Sequence, residues 1–388
     1  MATTPHPAPA PELSTRTLNR ATLARQLLLR RADMDAAEAV EHLVGLQTQV
    51  PGNHYTALWS RLAGFDAEDF SRRFAEREFV RLSMMRCTLH TVTARDALAL
   101  RPLVQAPQDR SLKSSFGGRL AGVDPEAVAV RSRELLEERP LGTGELGELL
   151  AAEWPDTPPR ALGMVARHLL PLVQVPPRGL WRTGGAARHT TAEHWLGAPL
   201  AGSGDSRVRP DPDAFVLRYL AAFGPASVRD AQTWSGLTRL REVVERHRPE
   251  LAVFRDGSGT ELYDLPDAPR PDADVPAPPR FLPEFDNVFI GHKDRSRVVA
   301  RDDLRLFWTG YAAKPVFLSD GFLRGTWRID TDAGTATGRE RAVLALKPFA
   351  PLPRAGRDEL AAEGTALLAF HAPGADHDVR WEPPYADG

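Results

Sequence analysis

Helical spacing, a short Gly/Pro break, two further helices and two β-prone runs recur along this chain, and such a recurrence leaves few architectures open. In the middle copy Val128 to Glu138 is a helix, and Arg139-Pro140-Leu141-Gly142-Thr143 breaks it. Thr143 can cap a helix from Glu145 to Glu153, and Pro159 to Leu170 takes the place of a recognition helix. Leu172 to Val175 then reads as pairing with Leu180 to Arg182 through Pro176-Pro177-Arg178-Gly179, a hairpin wing. The third copy has helices at Phe215 to Ala222, Val228 to Trp234 and Leu237 to His247, with Phe223-Gly224-Pro225-Ala226-Ser227 as its break. Its wing is Leu251 to Phe254 and Glu261 to Asp264. The N-terminal third shows the same grammar: helices opened by Ser14 and Asp35, then Tyr55 to Leu62 and Asp66 to Phe74. Strand-like Phe79 to Leu82 and Leu89 to Val92 follow. Helices followed by a two-stranded element are the pattern of a winged helix-turn-helix.

The expected fold is therefore α+β and mostly helical, with tandem winged helix-turn-helix modules and a C-terminal β-rich region. The boundaries read from the sequence are a disordered tail over 1–12, modules over 13–122, 123–205 and 206–265, a linker over 266–283 and an α+β region over 284–388. The linker holds seven prolines and little apolar content. Beyond it Asn287 to Ile290, Leu304 to Tyr311, Pro315 to Leu318, Gly325 to Ile329 and Ala342 to Leu346 read as short strands, with Asp320-Gly321 as a hairpin turn. Arg354 to Leu368 returns to helix, and the tail from Pro373 reads as weakly structured.

Composition removes several function classes. No apolar run is long enough to span a membrane, and the N-terminus lacks a basic leader and an apolar core. Cys87 is the only cysteine, which excludes an intrachain disulfide or a Cys-based zinc cluster and points to a reducing cytoplasm. His189 and His194 have no thiolate or carboxylate cluster beside them, and neither a P-loop nor a GxGxxG turn occurs. No metal and no cofactor are expected. The net charge of −2 argues against indiscriminate coating of nucleic acid but leaves room for a basic groove.

Val44-Gly45-Leu46-Gln47-Thr48-Gln49-Val50-Pro51 is the candidate site. The residue before a proline is pushed out of the α region, so a helix running through His42 to Leu46 should stop here. In an extended segment residues two apart face the same way, so Gln47 and Gln49 can converge on one small target. The simpler reading of the same spacing is a pair of solvated residues at a helix end.

Several stretches resemble one family. They are Leu46-Gln47-Thr48-Gln49-Val50-Pro51, Leu58-Trp59-Ser60-Arg61-Leu62, Met85-Arg86-Cys87-Thr88-Leu89-His90-Thr91-Val92 with Ala94-Arg95-Asp96, Leu282-Pro283-Glu284-Phe285-Asp286-Asn287 and Gly291-His292-Lys293-Asp294-Arg295-Ser296-Arg297. Together they look like the AlkZ/YcaQ-type bacterial DNA glycosylases, in the branch with Gln-x-Gln. Gln49 stands where the other branch carries aspartate, and Thr48 where the family often has an apolar residue. The resemblance implies tandem winged helices in a C-shaped arrangement around a DNA channel. It further implies excision of bulky N7- or N3-alkylated purines and unhooking of interstrand crosslinks, often as self-resistance to a DNA-alkylating natural product.

On that reading Gln47 and Gln49 are catalytic. Gln49 positions a water and Gln47 orients it or the deoxyribose, without a strong general acid, because an N7-alkylated guanine is already cationic. With no lysine near the glutamines, cleavage is monofunctional. Candidate DNA contacts are Arg86 and His90 near the lesion, Arg178 at a wing tip, and the run His292, Lys293, Arg295 and Arg297 on phosphates. For His90 a packed role is equally open, and for Arg178 an ordinary exposed turn is the more common case. The expected partner is double-stranded DNA carrying alkylpurine adducts or crosslinks, met by a monomer away from any membrane. A non-catalytic winged-helix regulator is the alternative, and a protein-interaction scaffold a third reading.

Overall fold

The computed structural model describes residues 10–385 apart from 205, 311 and 334–339. The chain enters as strand β1 (Glu12–Leu13) and helix α1 (Thr15–Arg25), with Ser14 accepting the Thr17 amide as N-cap. β1 pairs in parallel with Arg255 and Asp256 of the third repeat, so the expected free tail is corrected at Glu12. The rest of that tail, residues 1–9, lies outside the described residues.

The first repeat comprises α2 (Ala36–His42), β2 (Leu46–Gln47), α3 (Asn53–Trp59), α4 (Ala67–Ala75), β3 (Phe79–Ser83) and β4 (Leu89–Thr93). Helices α5 (Ala94–Leu100) and α6 (Gln105–Phe116) lead into the second, α7 (Pro125–Glu138), α8 (Thr143–Ala151), α9 (Pro159–Leu169), β5 (Leu172–Gln174) and β6 (His189–Thr191). After α10 (Ala192–Leu196) the third runs α11 (Pro212–Phe223), α12 (Val228–Ser235), α13 (Leu240–His247), β7 (Ala252–Asp256) and β8 (Glu261–Asp264).

The three breaks share one role. Each sends a short extended piece back onto the last strand of its own repeat: Leu46 and Gln47 onto Thr91 and His90, Leu141 onto His189, Ala226 onto Tyr263. Buried backbone groups must be paired, and here they are. Leu141 and His189 exchange both hydrogen bonds at 3.1 and 2.8 Å, Ala226 and Tyr263 at 3.0 and 2.8 Å. The glutamine stretch is thus the first repeat's version of this break.

Strands β3 and β5 pair antiparallel, Arg81 against Gln174 and Leu82 against Val173, which joins the strands of the first and second repeats into one sheet of order β2-β4-β3-β5-β6. The hairpin expected at Leu172 to Arg182 is corrected here, because β5 pairs with His189–Thr191. Leu180 and Trp181 are apolar for another reason. The Trp181 ring lies 4.6 Å from Tyr55 and 5.0 Å from Phe370, and such ring burial outweighs one short strand pairing.

The proline-rich segment is strapped to α1, whose Arg16, Arg20 and Arg25 donate Nε hydrogen bonds to the carbonyls of Ala273, Val275 and Pro269. It ends in β9 (Arg280–Leu282). There follow α14 (Asn287–Ile290), α15 (Leu304–Phe307), the pair β10 (Trp308–Thr309) and β11 (Ala312–Ala313), then β12 (Val316–Ser319) and β13 (Phe322–Ala333). The chain closes with β14 (Glu340–Pro348), α16 (Arg354–His371) and β15 (Asp376–Trp381). The sheet order is β15-β14-β13-β12-β9, and Leu360, Leu367 and Leu368 of α16 bury with Phe281, Phe317 and Leu344.

Asp320 and Gly321 turn β12 into β13 with φ of 49° and 78°, as a two-residue hairpin requires. Three expectations are corrected. Asn287–Ile290 is a helical turn, because the Asp286 side chain caps it at Val288 N. Leu304–Phe307 is likewise helical, and Tyr311 lies outside the described residues. The tail supplies β15, parallel to β14 at the sheet edge.

Candidate active site

Helix α2 ends before Pro51 has any say. Val44 and Gly45 take positive φ of 54° and 88°, and the Gly45 amide returns to the Val40 carbonyl at 2.8 Å. A Cβ at Gly45 would stand 2.6 Å from Val92 Cγ1, so only glycine fits. The helix thus stops at His42, and the expected end at Leu46 is corrected.

The chain then runs extended along β4. Thr48 points to one side, its hydroxyl 3.0 Å from Thr91 Oγ1, which lies 3.0 Å from His54 Nδ1. The hydroxyl is satisfied, so a threonine is accommodated there. Gln47 and Gln49 point to the other side with His90, the register partner of Gln47.

Both amide oxygens meet groups that can only donate. Gln47, 6% exposed, accepts Arg86 Nη2 at 2.6 Å. Gln49 is exposed, and its Oε1 accepts the Leu89 amide at 3.3 Å. This fixes the flip of each amide and leaves both NH2 groups without a partner among the described residues. Arg86 reaches its position from φ 55°, followed by Cys87 at 60°, and its second nitrogen donates to the Trp234 carbonyl at the end of α12.

The backbone of the motif is held from behind. Buried Arg81 donates to the carbonyls of Thr48 (2.8 Å) and Gln49 (3.0 Å), and also to Gln174 Oε1 on the neighbouring strand β5. From the C-terminal region Asn287 accepts the Gln47 amide at 3.2 Å and donates to the Gly45 carbonyl at 2.8 Å. Next to it, Asp286 and Arg61 form a buried two-pronged ion pair with both contacts at 2.8 Å. Asn53 donates to the Glu284 carbonyl at 2.8 Å.

The family model described as DNA glycosylase AlkZ-like matches residues 40–370. The chain belongs to the AlkZ-like DNA glycosylase family. A relative in Streptomyces sahachiroi, an interstrand DNA cross-link repair glycosylase, is 27% identical over 326 residues, covering 79% of this chain and 85% of the relative. The solved structure of the Streptomyces sahachiroi DNA glycosylase AlkZ superposes with a TM-score of 0.74 at 21% identity, covering 96% of this chain and all of that one. That likeness establishes a shared fold.

In this AlkZ-like site the charges are lopsided. Burial, then Arg178 and Arg167, hold the Arg81 guanidinium down to about 9, and burial, then Arg295, holds Arg86 down to about 10. Neither guanidinium has a carboxylate partner among the described residues. Glu284, its carboxyl pushed up by burial, bonds Asn53. A cleft with uncancelled cations attracts phosphate.

His90 is buried, with Nδ1 3.0 Å from the Thr88 carbonyl and Nε2 lacking a partner among the described residues. Burial and Arg86 hold it down to about 3, so its imidazole is neutral.

The other expected contacts divide. Lys293 is exposed, and Arg295 lies half-buried with its guanidinium 4.6 Å from the Trp308 ring centroid. Arg178 sits half-buried in the β5–β6 loop, donating to the Gly185 carbonyl at 2.7 Å, and is no hairpin tip. Arg86 is turned to Gln47. His292 and Arg297 are corrected outright: His292 Nε2 is 2.8 Å from the Phe223 carbonyl, and Arg297 donates to the Pro225 carbonyl at 3.0 Å. Both are buried and face inward. Sequence reasoning missed Arg81 and Asn287 as supports. The one available signal was a cation on the buried face of strand Phe79–Ser83.

The buried histidines set a pH dependence. His54 and His90 are both held to about 3 by burial, against 6.5 for an ordinary imidazole. The unfolded chain takes up their protons near pH 6.5 while the folded protein does not. Stability is therefore full above pH 6.5 and falls as pH drops below it. Chemical denaturation at pH 7 and pH 5 is expected to show His90→Gln losing about 1–2 kcal/mol less than wild type over that interval. Equal losses would refute the neutral assignment.

Proposed function

We propose that this AlkZ-like protein hydrolyses the N-glycosidic bond of bulky N7- or N3-alkylated purines in duplex DNA, as a monofunctional glycosylase. The observation that carries the proposal is the amide pair itself. Two side chains share one face, their oxygens are pinned by Arg86 and by Leu89 N–H, and no carboxylate lies in the pair.

Alkylation at N7 leaves the purine cationic, so it departs as a neutral base. The bond from C1′ to the purine breaks, a bond from C1′ to water forms, and the water proton passes to solvent. The products are a free alkylpurine and an abasic deoxyribose. Gln49 is the exposed member, and the remaining lone pair on its oxygen accepts the attacking water. Gln47 is polarised by a guanidinium, which weakens its oxygen as an acceptor and strengthens its NH2 as a donor toward the sugar. Neither amide titrates near neutral pH.

We propose also that the three repeats are winged-helix modules over 13–122, 123–205 and 206–265, curved in a C shape about the duplex. Their shared break-to-last-strand pairing supports this. Three modules in one chain let a monomer span what regulators reach by dimerising. Crosslink opening and self-resistance to an alkylating metabolite follow as roles of the same chemistry. No helix among the described residues is long and apolar enough to cross a membrane.

Comparing a cationic with a neutral lesion tests the chemistry. Single-turnover release of N7-methylguanine is expected to exceed that of hypoxanthine by at least about 100-fold, because a neutral base needs a general acid and the amide pair supplies none. Comparable rates would mean that an acid has been overlooked.

A further inference from the structure

We infer that a cleft between the start of α12 and the 293–304 segment seats the phosphates of one DNA strand beside the lesion, through Arg229, Lys293 and Arg301. This rests on the glycosylase reading and extends it to the path of the substrate.

The cleft has a volume of about 510 Å³, and its charged lining is Arg229, Lys293, Arg295 and Arg301 against Asp294 alone. None of the four cations has an ion pair among the described residues, and Arg229, Lys293 and Arg301 are exposed. Asp294 accepts both the amide and the hydroxyl of Ser296 at 3.0 Å, so it is turned into its own loop. Arg229 is the second residue of α12 and stands exposed beside Asp230, whose carboxylate is taken up by the capping box with Ser227 and by the Lys293 amide.

The adjoining cavity of about 560 Å³ provides a contrast. Its Arg229, Arg241, Lys293 and Arg297 face Asp230, Asp256, Glu261 and Asp294, which balances the charge. Arg229, Lys293 and Asp294 line both cavities, so the excess positive charge of the cleft comes from Arg295 and Arg301, which line it alone. Continuity with the glutamine site names the polyanion. Arg295 lines the cleft and lies close enough to Arg86 to lower its pKa, and Arg86 holds Gln47. Arg295 is thus the link between a backbone in the cleft and the amide pair.

The test is salt-dependent binding of the full chain to an unmodified duplex, followed by fluorescence anisotropy. The triple variant R229A/K293A/R301A is expected to bind about 10- to 100-fold more weakly at low salt. The slope of log K against log salt should fall by about two to three, since each phosphate contact contributes about 0.9. R241A, altered on the balanced side, should keep the wild-type slope, and thermal melting should show all variants folded. A slope reduced by less than one, or an equal loss per residue in R241A, overturns the assignment. Binding to unmodified DNA needs no excision, so failure here is separate from failure of the glycosylase chemistry.

Discussion

The Gln49→Ala protein is expected to release alkylpurine at least about 100-fold more slowly than wild type, with duplex affinity almost unchanged. The amide is exposed on the face shared with Gln47 and His90, and among the described residues its one hydrogen bond comes from the Leu89 amide at 3.3 Å. Removing it costs the fold little but leaves the attacking water without its acceptor. Gln47→Ala should behave differently. It also strips half-buried Arg86 of a 2.6 Å acceptor, so about 1–3 kcal/mol of stability should go with the activity. Single-turnover kinetics at saturating enzyme separate the two variants. Unchanged turnover in Gln49→Ala would rule out the water-positioning role.

Asp286→Ala is expected to produce the largest loss of stability, about 3–5 kcal/mol in chemical denaturation, because it strands a fully buried guanidinium. Arg61 and Asp286 meet through two 2.8 Å contacts and are both buried, and Asp286 also caps the turn that begins with Asn287. Asn287 in turn holds the Gln47 amide and the Gly45 carbonyl. Destabilising that corner should therefore loosen the glutamines and depress base release as well. Replacing both partners with apolar residues, Arg61→Met with Asp286→Leu, should restore much of the stability, since no lone charge is then buried. A loss below about 1 kcal/mol in Asp286→Ala would contradict the account of the pair.

Local signals and long-range packing divided what the sequence could tell. The repeats were legible because Pro140, Gly142, Gly224 and Pro225 interrupt helices where the breaks lie, and periodicity is a local property. The third repeat follows its expected helices and wing closely. In the second repeat Leu180 and Trp181 look like a strand by local composition, and Trp181 is instead an anchor against Tyr55 and Phe370. At the site, the two glutamines were legible as a pair on one side of an extended segment. The geometry that orients them was not. Arg86 comes from a left-handed turn, Arg81 from a strand facing the second wing, and Asn287 from the opposite end of the chain. His292 and Arg297 fell in a dense run of charge that suggested a surface. Their burial depends on carbonyls of Phe223 and Pro225, which only the folded third repeat brings near.

The most direct test takes a duplex with a single N7-methylguanine, incubates it with the wild-type protein and with Gln49→Ala, and analyses both the free base and alkali-induced strand breaks. Free 7-methylguanine and a break at that position are expected with the wild type, and neither above the enzyme-free control with the variant. An intact strand and a retarded complex from both proteins would contradict the glycosylase reading.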